Sequence, residues 1–289
     1  MDVIARIEQA LDRAMVGLDS PGAPPLLGSA MRYAVFPGGA RIRPKLLLAV
    51  ARACGDDDPE AAEAAAASIE LLHCASLVHD DLPCFDDAGT RRGKPTVHRA
   101  YGEPLAVLCG DALIVMAFEA LARGASANPI RLASLLVTVS QAVGMPGGIV
   151  AGQSWECEPA VDLTEYHRAK TGVLFAAATM AGAIAAGHDG TPWRTLGARL
   201  GEAFQVADDL HDVASKAEDI GKPVGRDAAL GRCSAVRELG LAGALARLDR
   251  LVAAAMDSIP PCPGQAELKT IIHWEARRFL PKELARVAA

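Results

Sequence analysis

Aromatic residues make up only 4% of this 289-residue chain, namely three Trp, three Tyr and six Phe. Together with β-branched residues, which are also few, these are the side chains that favour pleated sheets. Alanine, the strongest helix former, is abundant instead. The balance argues for an all-α protein packed through small side chains. None of the seven cysteines forms a C-x-x-C pair, which removes the common zinc and redox motifs. Scattered in odd number, they suit reduced thiols in a cytoplasmic protein better than a disulfide framework. Basic runs are missing too. The formal net charge is −6, and no stripe of Lys and Arg offers a nucleic-acid surface. The segment from Met1 to Asp19 lacks the pattern of a signal peptide. The uncharged run Thr171 to Gly187 is short for a membrane span, so it reads as a buried helix and no transmembrane segment is expected.

What the chain has is helical periodicity punctuated by Pro and Gly. Val3 to Leu18 places Ile4, Ile7, Leu11 and Met15 roughly on one face, as an amphipathic helix requires. Further helices are expected over Leu26–Phe36, from the Gly38-Gly39 turn to about Ala53, and over Glu60–His79, Pro104–Arg123 and Ile130–Val143. Others follow over Ile149–Gln153, Thr164–Ala169, Lys170–Ala186, Thr191–Ser215, Cys233–Leu239, Leu241–Met256 and Gln265–Phe279. Asp58 before Pro59 is a plausible N-cap, and Asp56 to Asp58 read as a solvated turn. No boundary divides the chain, so residues 1–289 are expected to form a single domain.

Two acidic stretches stand out. The first, His79-Asp80-Asp81-Leu82-Pro83-Cys84-Phe85-Asp86-Asp87, places four carboxylates within eight residues. Carboxylates this close repel one another unless a cation sits between them. Pro83 disfavours helix at Leu82, which puts Asp80 and Asp81 at a helix C-terminus and Asp86 on the bend beyond. That end of a helix is electronegative and favours a cation. Arg91, Arg92 and Lys94 follow at once. The second stretch, Asp208-Asp209-Leu210-His211-Asp212, sets Asp208 and Asp212 on one helix face, with Asp209 about 100° round the axis. Either alone is a modest signal. Together they point to Mg²⁺, which takes a few carboxylates and fills its shell with water and phosphate oxygens, and so to a diphosphate substrate. Upstream, Gly38-Gly39-Ala40-Arg41-Ile42-Arg43 opens a helix. A Gly pair there lets backbone N–H groups approach an anion, and Arg41 and Arg43 supply forked donors suited to phosphate.

Read in order, the pieces G-G-A-R-I-R-P (38–44), H-D-D-L-P-C-F-D-D (79–87), R-R-G-K-P-T (91–96), G-D-A-L (110–113), K-T-G (170–172), F-Q-V-A-D-D-L-H-D (204–212) and G-K-P (221–223) form a specific set. They resemble the trans-isoprenyl diphosphate synthases, or polyprenyl synthetases, and most of all the bacterial geranylgeranyl diphosphate synthases of carotenoid-type pathways. The resemblance covers nearly the whole chain. It implies an isoprenoid-synthase-type bundle of about ten or more helices around a deep apolar cavity, usually as a homodimer. The implied reaction is head-to-tail (1′-4) condensation of isopentenyl diphosphate with allylic diphosphates, ending at geranylgeranyl diphosphate. Three Mg²⁺ ions, or Mn²⁺ in their place, would be bound by Asp80, Asp86 and Asp208, with Asp81 and Asp212 supporting. Arg91, Lys170 and Lys222 would clamp the allylic diphosphate, and the oxygens of Thr171 and Gln205 would face the allylic cation. Gly39, Arg43, His73 and Arg92 would form the isopentenyl diphosphate site. By itself, His73 on an Ala/Leu helix would read as a core histidine.

One position departs from the family pattern, which has Lys where Ala40 stands. Lys45 does not replace it, because five positions on is about 140° round a helix. Arg41, or Arg43 with Arg92, is expected to hold isopentenyl diphosphate instead, less tightly. One turn below Asp80, Ala75 and Ser76 are both small and are expected to leave room for a twenty-carbon tail. An aromatic there would stop the product at fifteen carbons. The rival readings are a farnesyl diphosphate synthase, a class I terpene cyclase and a non-catalytic synthase subunit. Arg43, His73 and Arg92 argue against the cyclase, and two intact acidic motifs argue against the subunit.

Overall fold

The computed structural model describes residues 2–36, 38–159, 166, 168–214 and 235–278. Among these residues there are twelve α-helices: α1 (Val3–Ala14), α2 (Pro25–Val35), α3 (Ile42–Ala53), α4 (Pro59–Asp80), α5 (Val97–Tyr101), α6 (Glu103–Gly124), α7 (Pro129–Val143), α8 (Ile149–Ser154), α9 (Val173–Ala185), α10 (Arg194–Ala214), α11 (Ala235–Asp257) and α12 (Gln265–Arg278). The all-α expectation holds. Among the described residues the one β element is a hairpin of two two-residue strands, pairing Thr90 with Pro95 and Arg91 with Lys94.

Most boundaries follow local chemistry. Asp58 caps α4 by accepting a hydrogen bond from the Ala61 N–H at 3.1 Å, and Pro59 occupies the first turn, where a missing N–H costs nothing. Gly240, at φ 68°, breaks α11 internally, between the two helices expected on either side of it. α1 ends four residues earlier than its periodicity suggested, at Ala14, although Met15 beyond it is still fully buried.

The alanine-rich α4 runs through the middle of the bundle, with α6 packed along it and α3 and α9 against it. Its small side chains let neighbours approach on nearly all sides; Ala61, Ala62, Ala65, Ala66 and Ile69 are fully buried. α10 closes on α9 through two glycines. A Cβ at Gly197 would lie 2.4 Å from the Phe175 carbonyl oxygen, and one at Gly201 would lie 2.7 Å from the Gly172 Cα. On its other side, α10 packs Val206, Ala207 and Leu210 against Leu248 and Val252 of α11 in a second, smaller core. By length and composition alone, α4 and α6 are apolar enough to cross a bilayer. In this fold α4 is a buried core helix, whereas α6 leaves much of its apolar surface facing outward.

The Asp56–Asp58 turn is not simply solvated. Arg6 on α1 reaches Asp56 at 3.2 Å, and Arg131 on α7 grips Asp57 at 2.8 Å. The turn ties α4 to two helices distant in sequence.

Candidate active site

Along the last turns of α4, His73, Ser76, Leu77 and Asp80 are partly open, while Cys74, Ala75 and Val78 are buried. An open stripe therefore runs down the helix from Asp80. Asp80 is the last helical residue, and the bend after it folds back so that the Asp86 N–H donates to the Asp80 carbonyl at 2.9 Å. Both carboxylates thus sit over an electronegative helix end. Asp81 turns the other way. It is 2% exposed, and its carboxylate receives the forked Arg91 guanidinium, with Nε at 3.1 and 3.2 Å from the two oxygens. Burial pushes the Asp80 carboxyl above its ordinary pKa and Asp86 adds to this, while Lys170 and Arg91 pull it down. Burial raises Asp81 as well, against the pull of Arg91. Of the two expected chain-length residues, Ser76 lies on the open stripe, whereas Ala75 is sealed at 1% exposure. Ala75 does not line open space as the sequence reading expected. It sits one turn before His79 on the side of α4 that meets α6, where His79 Nε2 lies 3.2 Å from the Val107 carbonyl.

The facing wall is a single π-helical turn, Arg168–Gly172, that leads into α9. Lys170 Nζ lies 3.7 Å from Asp80 and 2.6 Å from Glu156. Glu156 also accepts the Tyr166 hydroxyl at 2.6 Å. The next residue, Thr171, donates its hydroxyl to Gln205 Oε1 on α10 at 3.3 Å. On α10, Phe204, Gln205, Asp208 and His211 are partly open and Val206, Ala207, Asp209 and Leu210 are buried. Asp208 therefore shares the open face with Gln205, three residues before it. Asp212 is one turn further along the same helix, and its side chain lies outside the described part. Lys222 and the 220–227 stretch also fall outside the described residues, as do residues 160–165. Asp209 does a different job from Asp208. It accepts from Gln205 Nε2 at 3.2 Å and from the Ala235 N–H at 2.8 Å, which caps the start of α11.

A cluster of basic groups lies beside the open stripe. Burial and then Arg43 and Arg92 push the His73 pKa well below its ordinary value. Arg43 is 8% exposed, and its guanidinium lies over the rings of Phe175, at 4.5 Å, and Phe204, at 5.8 Å. Burial lowers its pKa to about 10, so it remains a cation near neutral pH. Gly39 lies close under the Arg92 guanidinium: a Cβ there would come within 2.9 Å of Arg92 Nε and displace that side chain. Arg41 takes no part. Its side chain is 1% exposed and is bound to Glu8 at 2.8 Å and Glu70 at 2.6 Å, which corrects its reading as a phosphate donor. Ala40 is exposed, and Lys45 points away to Glu275 at 3.6 Å.

Among the described residues no three His, Cys, Asp or Glu side chains close on one point. The acidic oxygens are instead split between the end of α4 and the open face of α10. Hard oxygen donors in an incomplete protein cage suit Mg²⁺, which keeps room for water and phosphate.

The polyprenyl synthetase family model matches residues 24–256. Over 280 residues, 97% of each chain, this protein is 57% identical to a geranylgeranyl diphosphate synthase from Cereibacter sphaeroides. It is 52% identical, again over 280 residues and 97% of each chain, to one from Rhodobacter capsulatus. The chain belongs to the polyprenyl synthetase family. A geranyltransferase from Helicobacter pylori, solved in complex with magnesium and isoprenyl diphosphate, is 30% identical and superposes with a TM-score of 0.79, covering 96% of this chain and 98% of that one. As a polyprenyl synthetase the chain is a prenyltransferase, and its bundle is the isoprenoid-synthase architecture implied by the motifs. Every acidic and basic residue named above for the site lies within the matched span. Glu156, with its partner Tyr166 and with Phe175 under Arg43, is a site residue that sequence reasoning missed. Its only signal was an acid just after the short apolar helix α8.

Proposed function

We propose that this chain is a Mg²⁺-dependent geranylgeranyl diphosphate synthase, which condenses isopentenyl diphosphate head-to-tail with allylic diphosphates up to the twenty-carbon product. The observation that carries the reading is the Arg168–Gly172 turn. Its neighbouring residues Lys170 and Thr171 touch Asp80 on α4 and Gln205 on α10, so both acidic helices and one cation meet at one place. The identity to two geranylgeranyl diphosphate synthases supports the product length.

Asp80, Asp86, Asp208 and Asp212 are the residues that would hold the metal, three Mg²⁺ or alternatively Mn²⁺, with Asp81 supporting. Bound there, the ions supply charge stabilisation for the departing diphosphate. Lys170 and Arg91, with Lys222, add fixed positive charge to the same leaving group, in a half-buried site where such charge acts strongly. Asp81 holds the Arg91 guanidinium in plane. Glu156 and Tyr166 hold Lys170 at the mouth. The Thr171 hydroxyl and the Gln205 amide oxygen turn dipoles toward the allylic carbon as positive charge develops on it. Isopentenyl diphosphate is bound by Arg43, Arg92 and neutral His73, with Gly39 leaving space for Arg92. The open stripe through Ser76 takes the growing tail.

A homodimer fits the outward side of α6 and α7. Leu108 and Val115, then Ile130 and Val137, are exposed at seven-residue spacing, which places each pair on one helix face. Two such stripes on neighbouring helices suit a second copy of the chain better than water. Free cysteines throughout the described residues support a cytoplasmic setting.

The test is an assay of the purified protein with isopentenyl diphosphate, farnesyl diphosphate and Mg²⁺. A twenty-carbon diphosphate that disappears on chelation is expected. No C20 product would refute the proposal, and a product that stops at C15 would make the chain a farnesyl diphosphate synthase.

A further inference from the structure

Arg43 occupies an unusual setting. It is buried and cationic, and its Nε has no hydrogen-bond partner among the described residues. Burying a charged donor without a partner is unfavourable, so its surroundings must compensate. Two aromatic rings do so in part. Phe175 lies 4.5 Å and Phe204 5.8 Å from the guanidinium carbon, and the rings meet each other at 5.4 Å and 39°. They arrive from different helices. Phe175 is on α9, just after the Lys170-Thr171 turn, and Phe204 is on α10, next to Gln205. They converge because Gly197 and Gly201 let α10 approach α9 so closely. In a chain with so few aromatics, two of its six phenylalanines are spent on one arginine. The other charges around Arg43 are Glu70, which favours its cationic form, and Arg92, which opposes it. The Gly38-Gly39-Ala40 turn beside it brings no cation of its own, and Arg41 is consumed by Glu8 and Glu70.

We propose that Phe175, with Phe204 beside it, is the positioning platform for Arg43, and that this stack lets the chain hold the diphosphate of isopentenyl diphosphate without a cation at position 40. An aromatic face confines the guanidinium to one plane while leaving its edge donors for phosphate oxygens. A flexible lysine would do this work as a point charge. The stack pre-pays the ordering of Arg43 and so offsets the missing cation. The inference rests on the reading of the site as a prenyl diphosphate synthase.

The test is steady-state kinetics of the full-length protein with isopentenyl and farnesyl diphosphates varied separately. Phe175→Met keeps apolar bulk but removes the ring face. Its KM for isopentenyl diphosphate should rise about tenfold, with kcat and the KM for farnesyl diphosphate changed by no more than about twofold. Phe204→Leu should show a smaller selective rise, and Phe204→Tyr should restore it. Adding Ala40→Lys to Phe175→Met should bring the KM back down. A KM for isopentenyl diphosphate that stays at the wild-type value, or two KM values that rise together, would overturn the proposal. Where Phe175→Met fails to fold by circular dichroism, the Phe204→Leu and Phe204→Tyr pair decides: no selective, ring-dependent change refutes the platform. A wild-type protein unable to use isopentenyl diphosphate would instead sink the functional reading itself.

Discussion

Removing Glu70 should damage the fold far more than the chemistry. Arg41 sits one residue before α3 in the left-handed region, at φ 52°, with 1% of its side chain exposed. Three elements converge on its guanidinium: Glu70 of α4 at 2.6 Å, Glu8 of α1 at 2.8 Å and the Val35 carbonyl of α2 at 2.9 Å. Burial alone would lower the Arg41 pKa, but the two glutamates overcome it and hold the residue firmly charged. Glu70→Ala leaves that buried charge with one carboxylate, and Glu8 is itself a third exposed. Breaking a buried pair from one side costs about 3–5 kcal/mol, a large share of the roughly 5–15 kcal/mol that holds a domain together. The midpoint of thermal unfolding should therefore fall by roughly 5–8 °C. Glu8→Ala, at the solvent edge, should cost only about 1–2 kcal/mol. Circular dichroism melts give the first readout, and the KM for isopentenyl diphosphate on the folded fraction gives the second. Were Arg41 a phosphate ligand, Arg41→Ala would raise that KM strongly and leave the melt almost unchanged. That result, or a Glu70→Ala melt within about 2 °C of wild type, would refute the assignment of Arg41 as a structural anchor.

The two adjacent aspartates of the second motif should separate cleanly. Asp208→Ala should lower kcat by roughly 10²–10³-fold and weaken Mg²⁺ activation, whereas Asp209→Ala should lose the α11 cap, about 1–2 kcal/mol of stability, with a normal Mg²⁺ titration curve; the reverse pattern would show the roles exchanged. His73 should make the fold acid-sensitive. Its native pKa is depressed, so below the unfolded value of about 6.5 the unfolded chain takes up a proton that the native chain refuses. Stability is then intact above that pH and declines as pH falls toward the native pKa. Denaturation midpoints at pH 7.5 and 5.5 (roughly one unit either side of that value) should differ less in His73→Gln than in wild type, and equal slopes would count against a neutral imidazole at His73. For product length, Ser76→Phe enters the open stripe and should shift the main product from C20 to C15 by chromatography of the dephosphorylated alcohols. Ala75→Phe must first force a ring into sealed packing against α6, at about 1–3 kcal/mol, so it should shorten the product only with a lowered melt; a Ser76→Phe enzyme that still makes C20 would show that the tail runs elsewhere.

Local signals carried the helices because local chemistry sets them. Pro59 behind Asp58 starts α4 and Pro83 stops it, so its range was legible to within a residue at each end. The order and spacing of the acidic and basic motifs likewise carried the family, and with it the convergence of α4, the Lys170 turn and α10. What was not legible is which of several like residues faces what. Arg41 and Arg43 are two apart in one turn and look equivalent as phosphate donors. One meets acids that are 33 and 29 residues away, and the other meets two phenylalanines from α9 and α10. Asp208 and Asp209 are neighbours, yet one lies on the open face of α10 and the other caps a helix beginning at Ala235. Ala75 and Ser76 are both small, yet only Ser76 lies on the open side, because the packing of α6 decides which face of α4 is closed. In each case the side-chain type is local information, while its partner is set by helix faces brought together from afar. The departure at Ala40 follows the same logic. Taken locally, it is a missing cation; in the folded chain Arg92 lies beside Gly39 and two phenylalanine rings face Arg43, and neither arrangement is written into the local sequence.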